Sequence, residues 1–431
     1  TRRWPERVEA ELAEHFDVRL SRDDAPMSAE ALQAAFREAD AVFPTVTRVN
    51  GPAIFTGRYP GGNGALGNSV YLPDVEPARV LDAGDVEDLW LIRDRTDGQL
   101  LTAPSLGEIL EDNGFTYFAA SSGSTGSGSL MNHTGAGAGL VHHAVTIPAS
   151  LEQEVTEVLG AVPDVPEGRP AIPLVARAVD AVLRIGLDRA DADVLAVWLT
   201  EPDGTAHDFG MGAPETVAAL AQVDAEFGRL LDGLEARGVL EHTTVLVTSD
   251  HGFSMRTGDA SLTDLLVAAG LKASPASMDV VVAGDAITVL EGGDERIAEI
   301  VRLLQETPWI GPVFTRAGDE PFLGWVPGTA SFAAAGWEHP RSADILTSGN
   351  WTAASNEWGF EGEVTVPGVA GHGSSSPWDI RSTFLAGGAG IRTGLELNSP
   401  TGNIDLTPPV LHLVGATQVP DFDGRVLAEI I

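Results

Sequence analysis

The chain has 431 residues, of which 43% are hydrophobic, and this length predicts either one large domain with an insertion or two domains. Its formal net charge is -36, from 62 acidic and 26 basic residues, which argues against binding of nucleic-acid duplexes because phosphates are neutralised by arginine and lysine patches. The chain has no cysteine, so disulfides and thiolate metal sites are excluded.

Two further features of composition bear on membranes and compartment. No apolar run reaches the roughly 18 residues that a membrane-spanning helix needs. The polar stretch TRRWPERVEAELAEH at the start lacks the apolar segment of a secretory signal, which predicts a cytoplasmic location. The sequence gives no indication of the oligomeric state.

The first segment with candidate catalytic residues is FPTVTRVNGPAIFTGRYPGGNGALGN, residues 43–68, which is rich in Thr, Asn, Gly and Pro. Thr47 precedes a short helix predicted over 53–57, and the backbone N–H groups at a helix start attract anions. A hydroxyl beside a metal can become a nucleophile, because coordination lowers its pKa. Asn50 could donate to a phosphoryl oxygen. An ordinary helix cap and turn is the alternative interpretation.

Two segments each consist of an apolar run followed by a polar turn. The first, residues 193–210, begins with DVLAVWLT, and the second, residues 242–253, begins with HTTVLVT. The segment 215–238 between them predicts an amphipathic helix closed by Gly238. Its apolar positions recur at three- and four-residue steps: Val217, Leu220, Val223, Phe227, Leu230, Leu231 and Leu234. Strand, helix and strand in this order favour a parallel βαβ unit, in which ligands bind beyond the carboxyl ends of the strands.

Acidic and histidine side chains follow both predicted strands. Asp203 and His207 are four residues apart, Asp250 and His251 are adjacent, and His372 lies later in a Gly-His-Gly turn. A divalent ion such as Zn²⁺ accepts imidazole nitrogen and carboxylate oxygen together. Each pair alone could be a cap or a hydrogen-bonding group, but two pairs flanking one unit predict a metal site.

His142 and His143 are the other conspicuous pair. Adjacent residues of a strand point to opposite faces, so these two are expected to be structural or surface residues rather than joint ligands. The later segment from about 254 to 365 predicts a smaller α+β insertion, with strand-like DVVVAGDAITVL, helical DERIAEIVRLLQET and strand-like GPVFTR. The chain then returns through a Gly-rich loop and a buried strand to a closing helix over 403–416.

Together these segments resemble the type I phosphodiesterase/nucleotide pyrophosphatase family of the alkaline phosphatase superfamily, over about 42–431. The motifs that carry the resemblance are PTVTRVN, FTGRYPGGNG, EPDGTAHDFG, VLVTSDHGF, GHGSSSPWDIRS and NIDLTPPVLHLVG. The resemblance implies an α/β fold with a mostly parallel sheet core flanked by helices and a smaller α+β inserted cap. It places the core at 45–253 and 366–431, the cap at 254–365, and an atypical segment at 1–44.

The resemblance also implies hydrolysis of phosphodiester or nucleotide-type small molecules with two zinc ions. Asp203, His207 and His372 would hold one ion. Asp250, His251 and the hydroxyl of Thr47 would hold the other. Thr47 would attack phosphorus and form a covalent phosphoenzyme, with Asn50 stabilising the developing charge. The loops around Asn68 and Tyr71 would contact the substrate.

One part of the family pattern is missing from the sequence. The family's first strand ends in an Asp that binds the second zinc, and no such segment precedes Thr47. Residues 1–47 instead resemble the start of D-2-hydroxyacid dehydrogenases, which suggests a fusion or a misassembled gene. Asp17, Asp23 or Asp24 could replace the missing ligand. The dehydrogenase function itself is disfavoured, because GSTGSGS and GAGAG have the wrong spacing for a dinucleotide-binding turn.

Three other outcomes stay open at this point. A phosphomonoester or phosphonate hydrolase would use the same metal chemistry. A catalytically impaired member would keep the fold and bind nucleotides or a partner. A chain with a foreign first strand could also fail to fold stably.

Overall fold

The computed structural model describes residues 51–431 except Glu167, Arg169, Asn398 and Ser399, together with the single residue Ala13. Thr47, Asn50, Asp17, Asp23 and Asp24 therefore lie outside the described residues. Among the residues that are described, no helix combines the length and apolarity that a bilayer crossing requires.

The strands of the described chain are β1 (Ser69–Val70), β2 (Leu81–Asp82), β3 (Tyr117–Ser121), β4 (Gly139–His142), β5 (Thr146–Ile147), β6 (Val194–Trp198), β7 (Thr244–Thr248), β8 (Ser254–Arg256), β9 (Val280–Ala283), β10 (Ala286–Val289), β11 (Ile310–Thr315), β12 (Ala330–Ser331), β13 (Ile345–Gly349), β14 (Trp351–Ser355), β15 (Glu361–Val364), β16 (Ala370–Gly371) and β17 (Phe384–Gly388).

The α-helices of the same residues are α1 (Gly51–Thr56), α2 (Pro60–Asn63), α3 (Val86–Arg95), α4 (Leu106–Asp112), α5 (Thr125–Leu130), α6 (Glu152–Leu159), α7 (Ile172–Ala181), α8 (Asp203–Phe209), α9 (Pro214–Ala236), α10 (Leu262–Ala268), α11 (Gly293–Glu306), α12 (Pro377–Ile380) and α13 (Thr407–Val414). Helix α7 continues as a π-helix at Val182–Leu187. Short 3-10 helices lie at Ala149–Leu151, Leu240–His242, Phe332–Ala335 and Asn403–Asp405.

A mostly parallel sheet forms the first layer, with the strand order β5-β4-β3-β6. Strands β4, β3 and β6 run parallel, and β5 pairs antiparallel with β4. Every residue of β3 is buried, because the uncharged segment YFAAS lies in the middle of the sheet with helices packed against its faces. The parallel direction places the carboxyl ends of β3, β4 and β6 at one edge, and the chain leaves β6 there toward Asp203.

The elements of the predicted strand–helix–strand unit are all present among the described residues. The helix α9 runs as Pro214–Ala236, and Gly238 follows it with a φ of 70°, as the closing glycine predicts. Strand β7, however, pairs antiparallel with β17, and no hydrogen-bonded pairing of β7 with β6 occurs among the described residues. The two strands of a parallel βαβ unit need not be neighbours in the sheet, so the predicted parallel arrangement of β6 and β7 stays a prediction.

Burial also differs from expectation in two places. The helix α9 leaves Val217 and Leu220 each 53% exposed, although both belong to its predicted apolar face. Strand β17 was expected to be buried, yet its Leu385 is 62% exposed. Among the described residues β17 has only β7 as a neighbour, so an edge position explains its exposure.

A second sheet lies within the predicted insertion, with the order β12-β11-β13-β10-β9. The segment DVVVAGDAITVL forms the hairpin of β9 and β10, and DERIAEIVRLLQET forms most of α11, as the sequence predicts. The helix buries Ile300, Val301 and Leu304 against Ile287 and Val313 of the sheet. The exact bounds of the insertion stay a prediction, because β8 pairs with β15 inside the range and with β16 beyond it.

The histidine pair His142 and His143 departs from the alternation rule. Strand β4 ends at His142, and the two rings lie with centroids 3.9 Å apart rather than on opposite faces. The buried His142 donates from Nε2 to the carbonyl of Gly123 and accepts at Nδ1 from the N–H of Ala144. Both of its nitrogens are therefore used by the fold.

Candidate metal centre

Helix α8 carries the first two candidate ligands. It starts at Asp203, directly after the loop that leaves β6. The buried carboxylate of Glu201 accepts from the N–H and the hydroxyl of Thr205 and from the N–H of Ala171, which fixes the first turn. Residues four apart share one face of a helix, so His207 lies one turn after Asp203 on the same face. Nε2 of His207 is 3.6 Å from Oδ2 of Asp203.

The turn after β7 carries the second pair. His251 Nε2 lies 3.2 Å from Asp250 Oδ2. The Nδ1 of His251 donates to the carbonyl of Gly252 at 2.9 Å, and the amide of Asn403 donates to the carbonyl of Asp250. A side chain at Gly252 would place a Cβ 2.0 Å from the carbonyl oxygen of Trp378, so only glycine fits this close approach.

His372 comes from the loop after β16. Strand β16 also supplies the carbonyl of Ala370, which accepts from Nδ1 of His207 at 3.0 Å. A carbonyl oxygen can only accept, so Nδ1 of His207 and Nδ1 of His251 each carry a proton. Nε2 is then the nitrogen of each ring that is left to bind a metal ion.

Asp203 lies between the two predicted ligand sets. Its Oδ2 is directed at His207, while its Oδ1 lies 3.5 Å from Nε2 of His372 and 3.9 Å from Nε2 of His251. The rings of His251 and His372 stack with centroids 3.5 Å apart. Asp203, His251 and His372 each offer one atom within 4.8 Å of the others, so the geometry brings together ligands that the family resemblance assigns to separate ions.

Burial shifts the pKa of three of these groups. Desolvation raises the pKa of Asp203, against the opposing effect of His207 and His251, and it also raises the pKa of Asp250. Burial, followed by the nearby His251, His207 and Arg256, lowers the pKa of His372 to about 2. His372 is therefore neutral at pH 7, which is the form that binds metals.

The residues present fit a divalent metal ion. Oδ1 of Asp203 is buried and has no hydrogen-bond partner among the described residues, although the side chain as a whole is 41% exposed. An unpaired buried carboxylate oxygen is costly unless a cation neutralises it. Two ligands of one tetrahedral zinc ion lie about 3.4 Å apart, close to the distances found here. A group of three histidines and two carboxylates without cysteine suits zinc among other divalent ions.

The remaining predicted site residues are placed differently. Tyr71 is only 7% exposed, packs with Val281 and Ala283, and donates its hydroxyl to the carbonyl of Pro77. This placement does not fit the predicted substrate contact, because an apolar neighbourhood and an internal acceptor already occupy the side chain. Asn68 is exposed just before β1, and its contact with a substrate stays a prediction.

Sequence reasoning missed the polar residues behind the histidines. Arg256 donates to the carbonyl of His372, and it pairs with the buried Asp379. Ser254 and Ser374 also donate to Asp379. The one available signal was the position of Asp379 inside the same motif as His372, GHGSSSPWD, which the interpretation used only for the histidine.

Comparison with solved structures shows the fold. Murine ectonucleotide pyrophosphatase / phosphodiesterase 5 aligns with a TM-score of 0.56 and 17% identity over 88% of this chain and 86% of that chain. An inactive threonine-to-alanine variant of the same murine protein, in complex with AMP, aligns equally well. Wild-type alkaline phosphatase PafA aligns with a TM-score of 0.64 and 15% identity over 90% of each chain. The predicted alkaline-phosphatase-like α/β fold is confirmed.

Comparison of sequences shows the family. Venom phosphodiesterase 2 of Crotalus adamanteus is 27% identical over 214 residues, which is 49% of this chain but only 22% of the venom protein. This chain thus matches about a fifth of the length of that relative. The family model for type I phosphodiesterase / nucleotide pyrophosphatase matches residues 28–355. This match begins at residue 28, inside the segment 1–47 that resembles dehydrogenases. The suggestion of a gene fusion therefore gains no support. This chain belongs to the type I phosphodiesterase / nucleotide pyrophosphatase family.

Proposed function

We propose that this chain hydrolyses phosphodiester bonds of nucleotide-type small molecules in a zinc-dependent reaction with Thr47 as the nucleophile. The observation that carries the proposal is the position of Oδ1 of Asp203, which lies between Nε2 of His251 and Nε2 of His372 and has no hydrogen-bond partner in the part of the chain that the structure describes. Membership of the family supports the reaction class, and the loss of activity in a threonine variant of the murine relative supports a threonine nucleophile.

The ligand assignment is part of the proposal. Asp203, His207 and His372 would hold one zinc ion, and Asp250, His251 and the Thr47 hydroxyl would hold a second. When bound, the ions supply positive charge that lowers the pKa of a hydroxyl and offsets charge on the phosphoryl oxygens. This local charge matters here, because the net charge of -36 repels an anionic substrate at long range.

The reaction proceeds in two balanced steps. The Thr47 hydroxyl loses its proton and Oγ1 bonds to phosphorus as the bond to the leaving alkoxide breaks, and the leaving oxygen gains one proton in exchange. This step leaves a phosphodiester on the chain, in which phosphorus is esterified both to Thr47 and to the alcohol that has not left. Water then attacks phosphorus, the bond to Oγ1 breaks, and the phosphomonoester leaves with the Thr47 hydroxyl restored. Asn50 would donate to a non-bridging phosphoryl oxygen throughout.

The choice among phosphorus substrates is testable with one panel. We expect zinc-loaded protein to hydrolyse bis(p-nitrophenyl) phosphate at least about tenfold faster than p-nitrophenyl phosphate, measured as kcat/KM, which is a difference of about 1.4 kcal/mol in transition-state binding. Phosphonoacetate serves as the probe for cleavage of a carbon–phosphorus bond.

Each other outcome selects an alternative. Faster monoester cleavage would replace the proposal by a phosphomonoesterase, and turnover of phosphonoacetate would replace it by a phosphonate hydrolase. Zinc-loaded, folded protein that turns over none of the three would be an impaired member that acts by binding.

A further inference from the structure

A buried ion pair lies directly behind the candidate metal centre. The side chains of Arg256, at the end of β8, and Asp379, in α12, are 5% and 0% exposed, and Nη2 of Arg256 lies 3.1 Å from Oδ2 of Asp379. Neither side chain can touch a substrate, because both are buried in the protein. Any effect of Arg256 and Asp379 on the site must therefore be transmitted by the residues that they contact.

The pair is satisfied by hydrogen bonds from several segments. Asp379 accepts from the hydroxyl of Ser254 and from both the N–H and the hydroxyl of Ser374, at 3.0 Å and 2.6 Å for the latter two. Arg256 donates from Nη1 to the hydroxyl of Ser254 at 3.1 Å. Strand β8, the loop after β16 and helix α12 are thus joined through one guanidinium and one carboxylate.

Two bonds of this network end on the segments that carry candidate ligands. Nη2 of Arg256 donates to the carbonyl of His372 at 2.7 Å. The N–H of Gly252, which directly follows His251, donates to the backbone carbonyl of Asp379 at 2.7 Å. The same two residues therefore fix the backbone on either side of the stacked His251 and His372 rings.

Burial of this pair calls for a physical reason. Removing two charges from water is costly, and well-packed apolar residues of similar volume often give equal or greater stability. A guanidinium, in contrast, offers a rigid planar fork that can bind a carboxylate and a carbonyl in one fixed geometry. Groups that orient metal ligands from behind typically change metal affinity by about 10- to 100-fold when they are replaced.

We infer that Arg256 and Asp379 are positioning residues that set the zinc affinity of the site by fixing the backbone of His372 and of the His251–Gly252 turn. This inference rests on the metal centre of the proposed function. It concerns binding of the ion and makes no use of turnover, so it stands if the protein binds zinc but hydrolyses no phosphodiester.

The test measures zinc affinity by competition with a chromophoric chelator, on protein held well below its melting temperature. We expect Arg256→Met and Asp379→Asn each to weaken zinc binding about 10- to 100-fold. Arg256→Lys should recover part of the loss, because an ammonium can reach the carboxylate or the carbonyl but lacks the fork. The conservative variants Arg256→Lys and Asp379→Asn provide the answer if Arg256→Met does not fold.

A second buried cation provides the matched control. Lys272 is 4% exposed, and its ammonium donates to the carbonyls of Ser277 and Val280 within the α+β region. Lys272→Met should lower the melting temperature while leaving zinc affinity within about twofold of wild type. The inference is overturned if the Arg256 and Asp379 variants behave like Lys272→Met, or if wild-type protein binds no zinc.

Discussion

Replacing Asp203 by asparagine is expected to abolish tight zinc binding without destabilising the metal-free protein. Both carboxylate oxygens of Asp203 face candidate ligand nitrogens, and within the described ranges Oδ1 has no hydrogen-bond partner. Asparagine keeps the shape but removes the negative charge that would neutralise the ion. We expect zinc affinity to fall by more than about 100-fold, since residues that merely orient ligands account for 10- to 100-fold.

The stability of the metal-free protein should stay the same or rise slightly in Asp203→Asn, in contrast to its zinc affinity. Desolvation raises the pKa of Asp203, so at neutral pH its ionised form is held at a cost in the folded state. Asparagine removes that cost, and the melting temperature without zinc should equal or slightly exceed that of wild type. Added zinc should then raise the melting temperature of wild type but not of the variant.

The measurements are zinc affinity by chelator competition and thermal unfolding with and without zinc. Asp208→Asn is the matched control, because Asp208 is exposed on the same helix as Asp203. It should bind zinc like wild type. Wild-type zinc affinity in Asp203→Asn would remove Asp203 from the site.

The second large effect is expected from Thr47→Ala. If the Thr47 hydroxyl attacks phosphorus, its removal should lower kcat for bis(p-nitrophenyl) phosphate by at least about a thousandfold, as loss of a nucleophile does in other hydrolases. Zinc binding should stay largely intact, because the five carboxylate and imidazole ligands remain. Loss of turnover with retained zinc separates a nucleophile from a residue that only holds the metal.

Thr47→Ser provides the control for this prediction. Serine keeps a hydroxyl at the same position and should retain a measurable part of the turnover. Initial rates and elemental zinc content are measured on the same preparations of wild type and both variants. Unchanged turnover in Thr47→Ala would exclude Thr47 as the nucleophile.

The sequence predicted the parts of the site that depend on local periodicity. Asp203 and His207 share a helix face because they are four residues apart, and His251 follows a strand whose apolar run is plain in the sequence. Tyr71 shows the limit of such reasoning. A tyrosine in a Gly-rich loop can face solvent or pack inside, and packing against Val281 and Ala283, about 210 residues along the chain, decided the matter.

Long-range contacts account for what the sequence could not predict. The pairing of β7 with β17 joins Thr248 to Phe384, and the bond from Arg256 to Asp379 spans 123 residues. Neither contact is encoded by a local sequence pattern, since in both cases the partners are more than 120 residues apart. The position of His372 beside Asp203 came from the resemblance to the family rather than from spacing.

The most direct test of the account is the zinc content of folded wild-type protein, measured by elemental analysis after dialysis against trace zinc. We predict two zinc ions per chain, one held by Asp203, His207 and His372 and one by Asp250, His251 and Thr47. A single ion would leave the second set incomplete and favour an impaired member that acts by binding. Folded protein that retains no zinc would contradict the metal centre and, with it, the proposed reaction.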